Sequence, residues 1–383
     1  MPFRFFICII SSAFLISCSN RHDPRIPSKE SLGEKLFNDV SLSREGTQAC
    51  ASCHDASHAF IDARVNLTSS TSTSVGGVST GQDKISLGDI NAPSIAYAAF
   101  VPDFHFDKAE GLYKGGLFLN GRALNLLEQA KQPFLNPLEM QTTKEKLVAK
   151  VKENYRVPFE YIYGGDVFKS VDGAFTAIAD SIAHFEKTTF FSSFDSKFDK
   201  VLEGSEAFSK QEKLGKTLFE DEKKGNCAAC HPVPLRSTSK QDSLFTDFSY
   251  DNIGAPKNSL VRSLNGKSSQ FVDEGLFNNP KVNDPALKGA FRVSSLRNIA
   301  VTGPYMHNGV FNNLETVVKF YNTRDVPGSL NPETNKPWRA AEIKSTKNTE
   351  ELGDLGLTDQ EVGAIVAFLR TLTDQRYESL IKQ

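Results

Sequence analysis

The chain has 383 residues and a formal net charge of −2 at pH 7, with 44 Lys and Arg against 46 Asp and Glu. This length is sufficient for two domains and a sizeable core, and the near-neutral charge gives no basis for binding nucleic acid. Four of the six cysteines lie in two short motifs and the other two lie in the first 18 residues. No pair therefore remains for a structural disulfide.

The N-terminal segment has the pattern of an export signal. An apolar run over residues 5–16 follows Arg4, which is typical of a secretory signal peptide and too short for a permanent membrane span. The run ends in LISC, which is similar to a bacterial lipobox and implies lipidation of Cys18. An ordinary cleaved signal peptide is the alternative. We predict a signal peptide over 1–18 and a polar tether over 19–28.

The first motif, Cys-x-x-Cys-His, consists of Cys50, Cys53 and His54. Two thiols at this spacing can bond to the two vinyl groups of one haem, and the adjacent histidine can coordinate its iron. An amphipathic helix opened by a capping box from Ser31 to Glu34 is predicted just before it.

The second copy of the motif consists of Cys227, Cys230 and His231, and a capping box from Ser209 to Glu212 precedes it. The alternatives for the two motifs are a pair of disulfides or half of a zinc site. Zinc would require paired cysteines and paired histidines at finger spacing, which the sequence lacks. The two motifs therefore predict two covalently attached c-type haems.

The two halves of the chain repeat one plan. Residues 32–39 (LGEKLFND) and 214–221 (LGKTLFED) precede the motifs, and apolar helices over 175–190 and 361–372 close the halves. The last helix is predicted to begin with a capping box, from Thr358 to Glu361. Helix, haem motif, insertion and helix is the plan of a cytochrome c domain.

We therefore predict a mainly α fold of two cytochrome c-like domains, over 29–195 and 196–383, each carrying one haem. Serine and glycine break the helical pattern between 190 and 207, which is where we place the boundary. Residues 67–80 are nearly all Ser, Thr, Gly and Val and predict a loop.

The chain resembles the bacterial di-haem cytochrome c peroxidases and their relative MauG. The matching stretches cover nearly the whole mature chain: 36–54, 91–94 (NAPS), 120–123 (NGRA), 132–140 (QPFLNPLEM), 252–254, 295–298 and 303–309 (GPYMHNG). The resemblance implies a periplasmic protein, here held on a membrane if Cys18 is lipidated. It also implies a peroxide-reacting haem in the first domain and an electron-relaying haem in the second.

The first haem is expected to have an open coordination site opposite His54. Peroxidases of the family often carry a distal histidine at the position that is Ser70 here. His58 follows His54 by only one helical turn, so its geometry makes it a poor ligand on the other face. A surface position or a contact with a haem propionate is the preferred interpretation of His58.

The resemblance places Glu139 as the distal acid/base, with Gln129 and Pro133 at other positions of the distal pocket. A carboxyl group over the iron can take a proton from one peroxide oxygen and deliver it to the leaving oxygen. Burial would have to raise its pKa for this role near neutrality. Without the motif, Glu139 would be interpreted as a residue at a helix N-terminus.

The sixth ligand of the second haem is predicted to be Tyr321. The family's relay haem usually has a methionine at this position, whereas MauG has a tyrosine. A phenolate stabilises oxidised iron and lowers the potential. Met306 is the alternative ligand, and a tyrosine of the core is the interpretation without ligation.

Two further features follow from the resemblance. Asn91, Thr302 and Pro304 match positions that bind calcium between the domains, and oxygen ligands suit that ion. Leu119 stands where the family often has a tryptophan between the haems, and the single tryptophan of the chain is Trp338. Electron exchange between the haems is therefore expected to tunnel directly or to use a tyrosine.

Three functions remain open at this point. The first is a peroxidase that reduces hydrogen peroxide with electrons from a small cytochrome c or cupredoxin. The second is a MauG-like enzyme that oxidises a residue of a partner protein. The third is a di-haem electron carrier without peroxide chemistry.

Overall fold

The computed structural model describes residues 27–64, 78–235, 242–268 and 270–381. The predicted signal peptide with Cys18, nearly all of the tether, and Ser70 with most of the predicted loop lie outside these ranges. Within them, no helix combines the length and the apolar character that crossing a membrane requires.

The described ranges are mainly helical, as predicted. Their α-helices are α1 (Lys29–Asn38), α2 (Cys50–Cys53), α3 (Leu126–Leu135), α4 (Lys144–Tyr163), α5 (Val171–Glu186), α6 (Lys197–Glu203), α7 (Lys210–Glu220), α8 (Ser259–Leu264), α9 (Leu314–Thr323) and α10 (Asp359–Arg370).

Short strands form antiparallel pairs between the helices. They are β1 (His105–Asp107), β2 (Leu112–Lys114), β3 (Tyr250–Asp251), β4 (Phe291–Arg292), β5 (Leu330–Asn331) and β6 (Lys336–Pro337), paired in consecutive order. In β3–β4, Tyr250 lies opposite Arg292. The Arg292 N–H also donates to the Leu119 carbonyl at 2.8 Å, which joins this pair to the first half of the chain.

Helices α1, α3, α4 and α5 surround a first hydrophobic core. Helix α1 crosses α5 at Gly33, where an added Cβ would overlap the Ser181 carbonyl oxygen. The close approach of two helices therefore requires glycine at this position.

Helices α7, α9 and α10 surround a second core, to which Phe198 of α6 also belongs. Helix α7 crosses α10 at Gly215, where an added Cβ would overlap the Ala364 carbonyl oxygen. Gly33 and Gly215 occupy the same place in the two repeated segments. The repeat seen in the sequence is thus also a repeat of helix crossings.

The first capping box was predicted at the wrong serine. Helix α1 begins at Lys29, because the Ser28 hydroxyl accepts from the Ser31 N–H at 3.1 Å and the Ser31 hydroxyl accepts from the Ser28 N–H at 2.9 Å. The boxes from Ser209 to Glu212 and from Thr358 to Glu361 are confirmed.

The segment 190–207 is not a simple break. It contains α6, which Ser196 caps and Gly204 closes in the left-handed conformation. Asp199 of this helix forms an ion pair with buried Arg297, with oxygen–nitrogen distances of 2.5 and 2.8 Å. The closing helix α5 begins four residues earlier than predicted, whereas α10 begins directly after its predicted cap, Thr358.

Candidate functional site

Both Cys-x-x-Cys-His motifs line one continuous cavity of about 630 Å³. Its walls are mostly apolar and come from both halves of the chain. The two motifs therefore share a single interior space, and each can present a ligand to it.

The first motif is held by a short helical turn and one carbonyl group. Helix α2 contains Cys50 and Cys53, and the His54 N–H donates to the Cys50 carbonyl at 3.0 Å. His54 Nδ1 lies 3.1 Å from the Phe60 carbonyl oxygen. Nδ1 is therefore the donor, and Nε2 keeps the lone pair that a metal needs. Burial lowers the pKa of His54 and favours this neutral form.

The second motif repeats this arrangement. A 3₁₀ turn begins at Cys227, and the His231 N–H donates to the Cys227 carbonyl at 2.9 Å. His231 Nδ1 lies 2.7 Å from the Phe245 carbonyl oxygen, and burial lowers the pKa of this imidazole as well. Each motif thus offers Nε2 as its free ligand atom.

The four cysteines are unpaired in this arrangement. Burial raises the pKa of the Cys53 thiol to about 11 and that of both Cys227 and Cys230 to about 12, and it also raises the pKa of Cys50. Such sites favour uncharged sulfur. Zinc would need thiolates, and the described residues contain no group of three or more His, Cys, Asp or Glu side chains that could hold a metal ion. A thioether is uncharged, so the residues fit covalently attached haem.

Glu139, Gln129 and Pro133 line the cavity. Gln129 and Pro133 lie on α3, and Glu139 lies in the turn that follows this helix. Glu139 is therefore not in the first turn of a helix. Its Oε1 accepts from Asn136 Nδ2 at 2.6 Å. Burial raises the pKa of Glu139, while the hydrogen bond from Asn136 and the charge of Arg122 oppose this.

A second carboxyl group of the cavity, this one buried, was missed in the sequence. Glu186 is the last residue of α5, is 4 % exposed and lines the same cavity. Its Oε2 has no hydrogen-bond partner among the described residues, and burial raises its pKa to about 8. Glu186 ends an apolar helix and belongs to no motif, so only its burial in the folded protein identifies it as a candidate site residue.

Two arginines of the cavity wall were also missed. The Arg122 guanidinium lies 3.4 Å from the centroid of the Phe118 ring, and Arg292 has a buried Nε without a partner among the described residues. Burial lowers the pKa of both groups. Guanidinium groups pair well with carboxylates, so these side chains could hold haem propionates. Only Arg122, in the NGRA stretch that matches the family, had a sequence signal.

Tyr321 and Met306 both line the cavity. Tyr321 lies on α9, and burial raises its pKa, with further contributions from the nearby Cys230 and Cys227. Met306 packs at the edge of the second core. Both candidate ligands therefore pack against the same hydrophobic core as the second motif.

Asn91, Thr302 and Pro304 also line the cavity. Asn91 Nδ2 donates to the Pro304 carbonyl at 2.7 Å, and the Asn91 N–H donates to the His307 carbonyl at 2.7 Å. These contacts join the two halves of the chain at the position where the calcium site was predicted.

Three other residues lie as follows. His58 is outside the cavity wall, with its side chain 45 % exposed and its Nδ1 2.9 Å from Asp55 Oδ2. Leu119 lines the cavity. Trp338 packs against Phe311 and Phe320 in the second core, away from the cavity wall.

Comparison with known proteins gives consistent results. Residues 27–207 match a family model described as di-haem cytochrome c peroxidase. The methylamine utilization protein MauG of Paracoccus denitrificans is 42% identical over 98% of this chain and 97% of its own. The cytochrome c551 peroxidase of Nitrosomonas europaea is 32% identical over 89% and 79%.

The fold has solved relatives as well. The crystal structure of the diheme peroxidase BthA from Burkholderia thailandensis superposes with a TM-score of 0.82 at 30% identity, covering 93% of this chain and 88% of that one. The paired motifs, the shared cavity and these similarities lead to one conclusion: the chain belongs to the di-haem cytochrome c peroxidase and MauG family of oxidoreductases.

Proposed function

We propose that this protein is a di-haem peroxidase that reduces hydrogen peroxide in its first half with electrons that pass through its second half. The observation that carries the proposal is the partly buried Glu139 carboxyl group in the same cavity as His54. The haem bound at Cys50 and Cys53 would supply the iron that binds peroxide and accepts electrons.

Glu139 would move the proton in this reaction. Reduction of one peroxide to two waters consumes two electrons and two protons, and one oxygen must leave as water. The carboxylate would take the proton from one peroxide oxygen and return it to the oxygen that leaves as water. The 2.6 Å hydrogen bond from Asn136 holds the carboxyl group in place, and Gln129 is available to orient the peroxide.

In the second half, His231 and Tyr321 would be the iron ligands. Two protein ligands suit electron transfer, and a phenolate favours the oxidised metal. The raised pKa of Tyr321 reflects burial beside Cys230 and Cys227. Binding to a metal cation would reverse this, because the cation stabilises the phenolate. Met306 remains the alternative ligand.

The proposal includes the wider organisation predicted from the sequence. Domains over 29–195 and 196–383 would each carry one c-type haem, and calcium would lie at Asn91, Thr302 and Pro304. Export through the signal peptide over 1–18 would bring the chain to the periplasm, where c-type haem is attached. Lipidation of Cys18 would hold it on a membrane.

The test uses the purified holoprotein with both haems attached. The expected result is a high-spin ferric signal at rest and a two-electron oxidation by one equivalent of hydrogen peroxide. If the resting iron is entirely low-spin and peroxide leaves the spectrum unchanged, the protein is an electron carrier instead.

A second function is favoured by Tyr321. MauG has a tyrosine at this ligand position, and the MauG of Paracoccus denitrificans is 42% identical to this chain. The protein would then oxidise a residue of a partner protein. Incubation with peroxide and a small secreted protein encoded beside it would yield a covalently modified partner by mass spectrometry. Rapid turnover with a reduced cytochrome c or cupredoxin and an unmodified partner would favour the peroxidase.

A further inference from the structure

Tyr97 is a buried tyrosine that shares the cavity wall with both motifs. It is 1% exposed, and its hydroxyl donates to Asp374 Oδ1 at 2.5 Å. The same hydroxyl accepts from the Phe194 N–H at 3.1 Å. Asp374 is fully buried, and its other oxygen accepts from Asn298 Nδ2 at 2.9 Å. The phenol and its carboxylate acceptor are thus fixed on both sides.

On one side, Tyr97 is connected to the support of the first motif. Its N–H donates to the Phe191 carbonyl at 3.0 Å. The Phe191 ring stacks on Phe60 with a centroid distance of 4.5 Å, and the Phe60 carbonyl holds His54. Tyr97 is therefore linked to the first histidine through Phe191 and Phe60.

On the other side, Tyr97 packs in one cluster with Leu244 and Phe248. Leu244 precedes Phe245, whose carbonyl holds His231. Tyr97 therefore lies close to the supports of both histidines, although it belongs to the first half of the chain and Asp374 to the second.

The other tyrosines of the cavity wall lack this arrangement. Three tyrosines line the cavity: Tyr97, Tyr305 and Tyr321. Tyr305 donates to the Ile299 carbonyl at 3.0 Å, and a peptide carbonyl cannot take up a proton. Tyr321 is the proposed iron ligand. Tyr155 and Tyr163 also donate to carboxylates, but they lie outside the cavity wall.

We propose that Tyr97 relays electrons between the two haem sites, and that Asp374 holds its phenolic proton during the transfer. The inference rests on the proposed function, because hydrogen peroxide is the oxidant. When Tyr97 gives up one electron, its O–H bond breaks and the proton moves to the carboxylate of Asp374, leaving a neutral phenoxyl radical. An electron from the second half restores the phenol, and the proton returns from Asp374. Two such cycles serve each peroxide that is reduced to two waters.

The surroundings of Asp374 suit this role. Burial raises the pKa of Asp374, which makes its carboxylate a stronger base, while hydrogen bonds from Tyr97 and Asn298 and the charge of Arg297 oppose this. Arg297 is itself paired with Asp199, so its charge is largely compensated. The Asp374 carboxylate is fixed by hydrogen bonds, and no cation fully neutralises its charge. It can therefore take up one proton without moving.

The relay would also explain how electrons pass between the two haem sites although Leu119 stands where the family often has a tryptophan. An aliphatic side chain has no oxidation state that an enzyme can reach, so it cannot hold an electron vacancy. Tyr97 offers an oxidisable ring within the same cavity wall. Because Asp374 takes the phenolic proton, oxidation of Tyr97 leaves a neutral radical and not a buried cation.

The experiment is freeze-quench electron paramagnetic resonance on the holoprotein after one equivalent of peroxide. The expected result is a tyrosyl radical signal in the wild type that is lost in Tyr97→Phe and reduced in Asp374→Asn. The matched control is Tyr377→Phe. Tyr377 is also 1% exposed and also joins the halves, but its hydroxyl donates to the Ala56 carbonyl at 3.0 Å. This control should keep the signal.

A second measurement tests the proposal even if the phenylalanine variant misfolds. Replacement Tyr97→3-fluorotyrosine keeps the hydroxyl group and should alter the hyperfine pattern of the radical. A wild type that consumes peroxide with no radical dependent on Tyr97, and a Tyr97→Phe variant with unchanged electron-transfer rates, would overturn the relay while the peroxidase stands. A wild type that does not react with peroxide would overturn both.

Discussion

The two Cys-x-x-Cys-His sites differ less in their own structure than in what surrounds them. In each site the histidine Nδ1 meets the carbonyl of a fully buried phenylalanine with a left-handed backbone, Phe60 with φ 58° and Phe245 with φ 54°. Glu139 and Glu186 join the cavity wall from the first half, whereas Tyr321 and Met306 join it from the second. The support for haem is repeated, and the neighbouring side chains are not.

Of these distinct side chains, Glu139 and Tyr321 come from the segments between the repeated helices, whereas Glu186 ends the closing helix α5. Glu139 follows α3, and Tyr321 lies on α9. Insertions of different sequence can therefore change the chemistry of each site without disturbing the helix crossings at Gly33 and Gly215. A carboxylic acid suits proton transfer to peroxide, and a phenol suits ligation of oxidised iron.

The largest effect is expected for Glu139→Gln. The amide keeps the shape of the side chain but cannot carry the proton, so the rate of reaction with peroxide should fall by roughly 10²- to 10⁴-fold. Stopped-flow absorbance measures this rate. Glu128→Gln is the control. Glu128 lies on α3, forms an ion pair with Lys131 and lies outside the cavity wall. An unchanged rate in Glu139→Gln would remove the main distinction between the two sites.

Tyr321→Phe tests the other site. Loss of the phenolate should change the spectrum of the second haem only and raise its potential by about 0.1 V or more, within the roughly 0.8 V over which axial ligands act. Spectroelectrochemistry measures both. Tyr305→Phe is the control, because Tyr305 lines the cavity but donates to a backbone carbonyl. A spectrum that Tyr321→Phe leaves intact would assign the ligand to Met306.

Glu186→Gln should alter the pH dependence of stability. The pKa of Glu186 rises from an ordinary 4.5 to about 8, so between these values the folded protein binds a proton that the unfolded chain has released. The contribution of Glu186 to stability is therefore fully present below pH 4.5 and is lost as pH rises towards 8, at about 1.4 kcal/mol per pH unit. The variant should lack this loss in chemical denaturation series.

The matched control for this series is Glu34→Gln, at an exposed position of α1. It should follow the pH profile of the wild type. A profile of Glu186→Gln that coincides with both would show that haem attachment gives this carboxyl group another partner.

The smallest effects are expected at the helix crossings, where the two halves should respond alike. Gly33→Ala and Gly215→Ala each force a methyl group against a backbone carbonyl and should destabilise the fold by roughly 1–3 kcal/mol. The controls Gly173→Ala and Gly363→Ala lie on α5 and α10 with room for a methyl group. They should be neutral or stabilising by up to about 1 kcal/mol. Thermal denaturation of the holoprotein measures all four, and unequal effects would show that the crossings are not equivalent.

The sequence predicted the parts of the fold that depend on neighbouring residues. The capping boxes at Ser209 and Thr358 are local hydrogen-bond patterns and were found where expected. At the first helix two serines, Ser28 and Ser31, compete for the same role, and the pattern placed the box at the wrong one. The helix at 197–203 was missed although Ser196 and Asp199 form a local capping box, and the ion pair that joins Asp199 to distant Arg297 carries no local sequence signal.

The candidate site also has a part that the sequence predicted and a part that only the structure identified. Cys-x-x-Cys-His is contiguous, so the sequence alone determined where two haems can be attached and which histidines can bind them. Glu186, Arg292, and the pair of Tyr97 with Asp374 carry no motif. Only the tertiary structure decided that these groups line or adjoin one cavity, because burial and hydrogen bonding arise from packing between segments far apart in the chain.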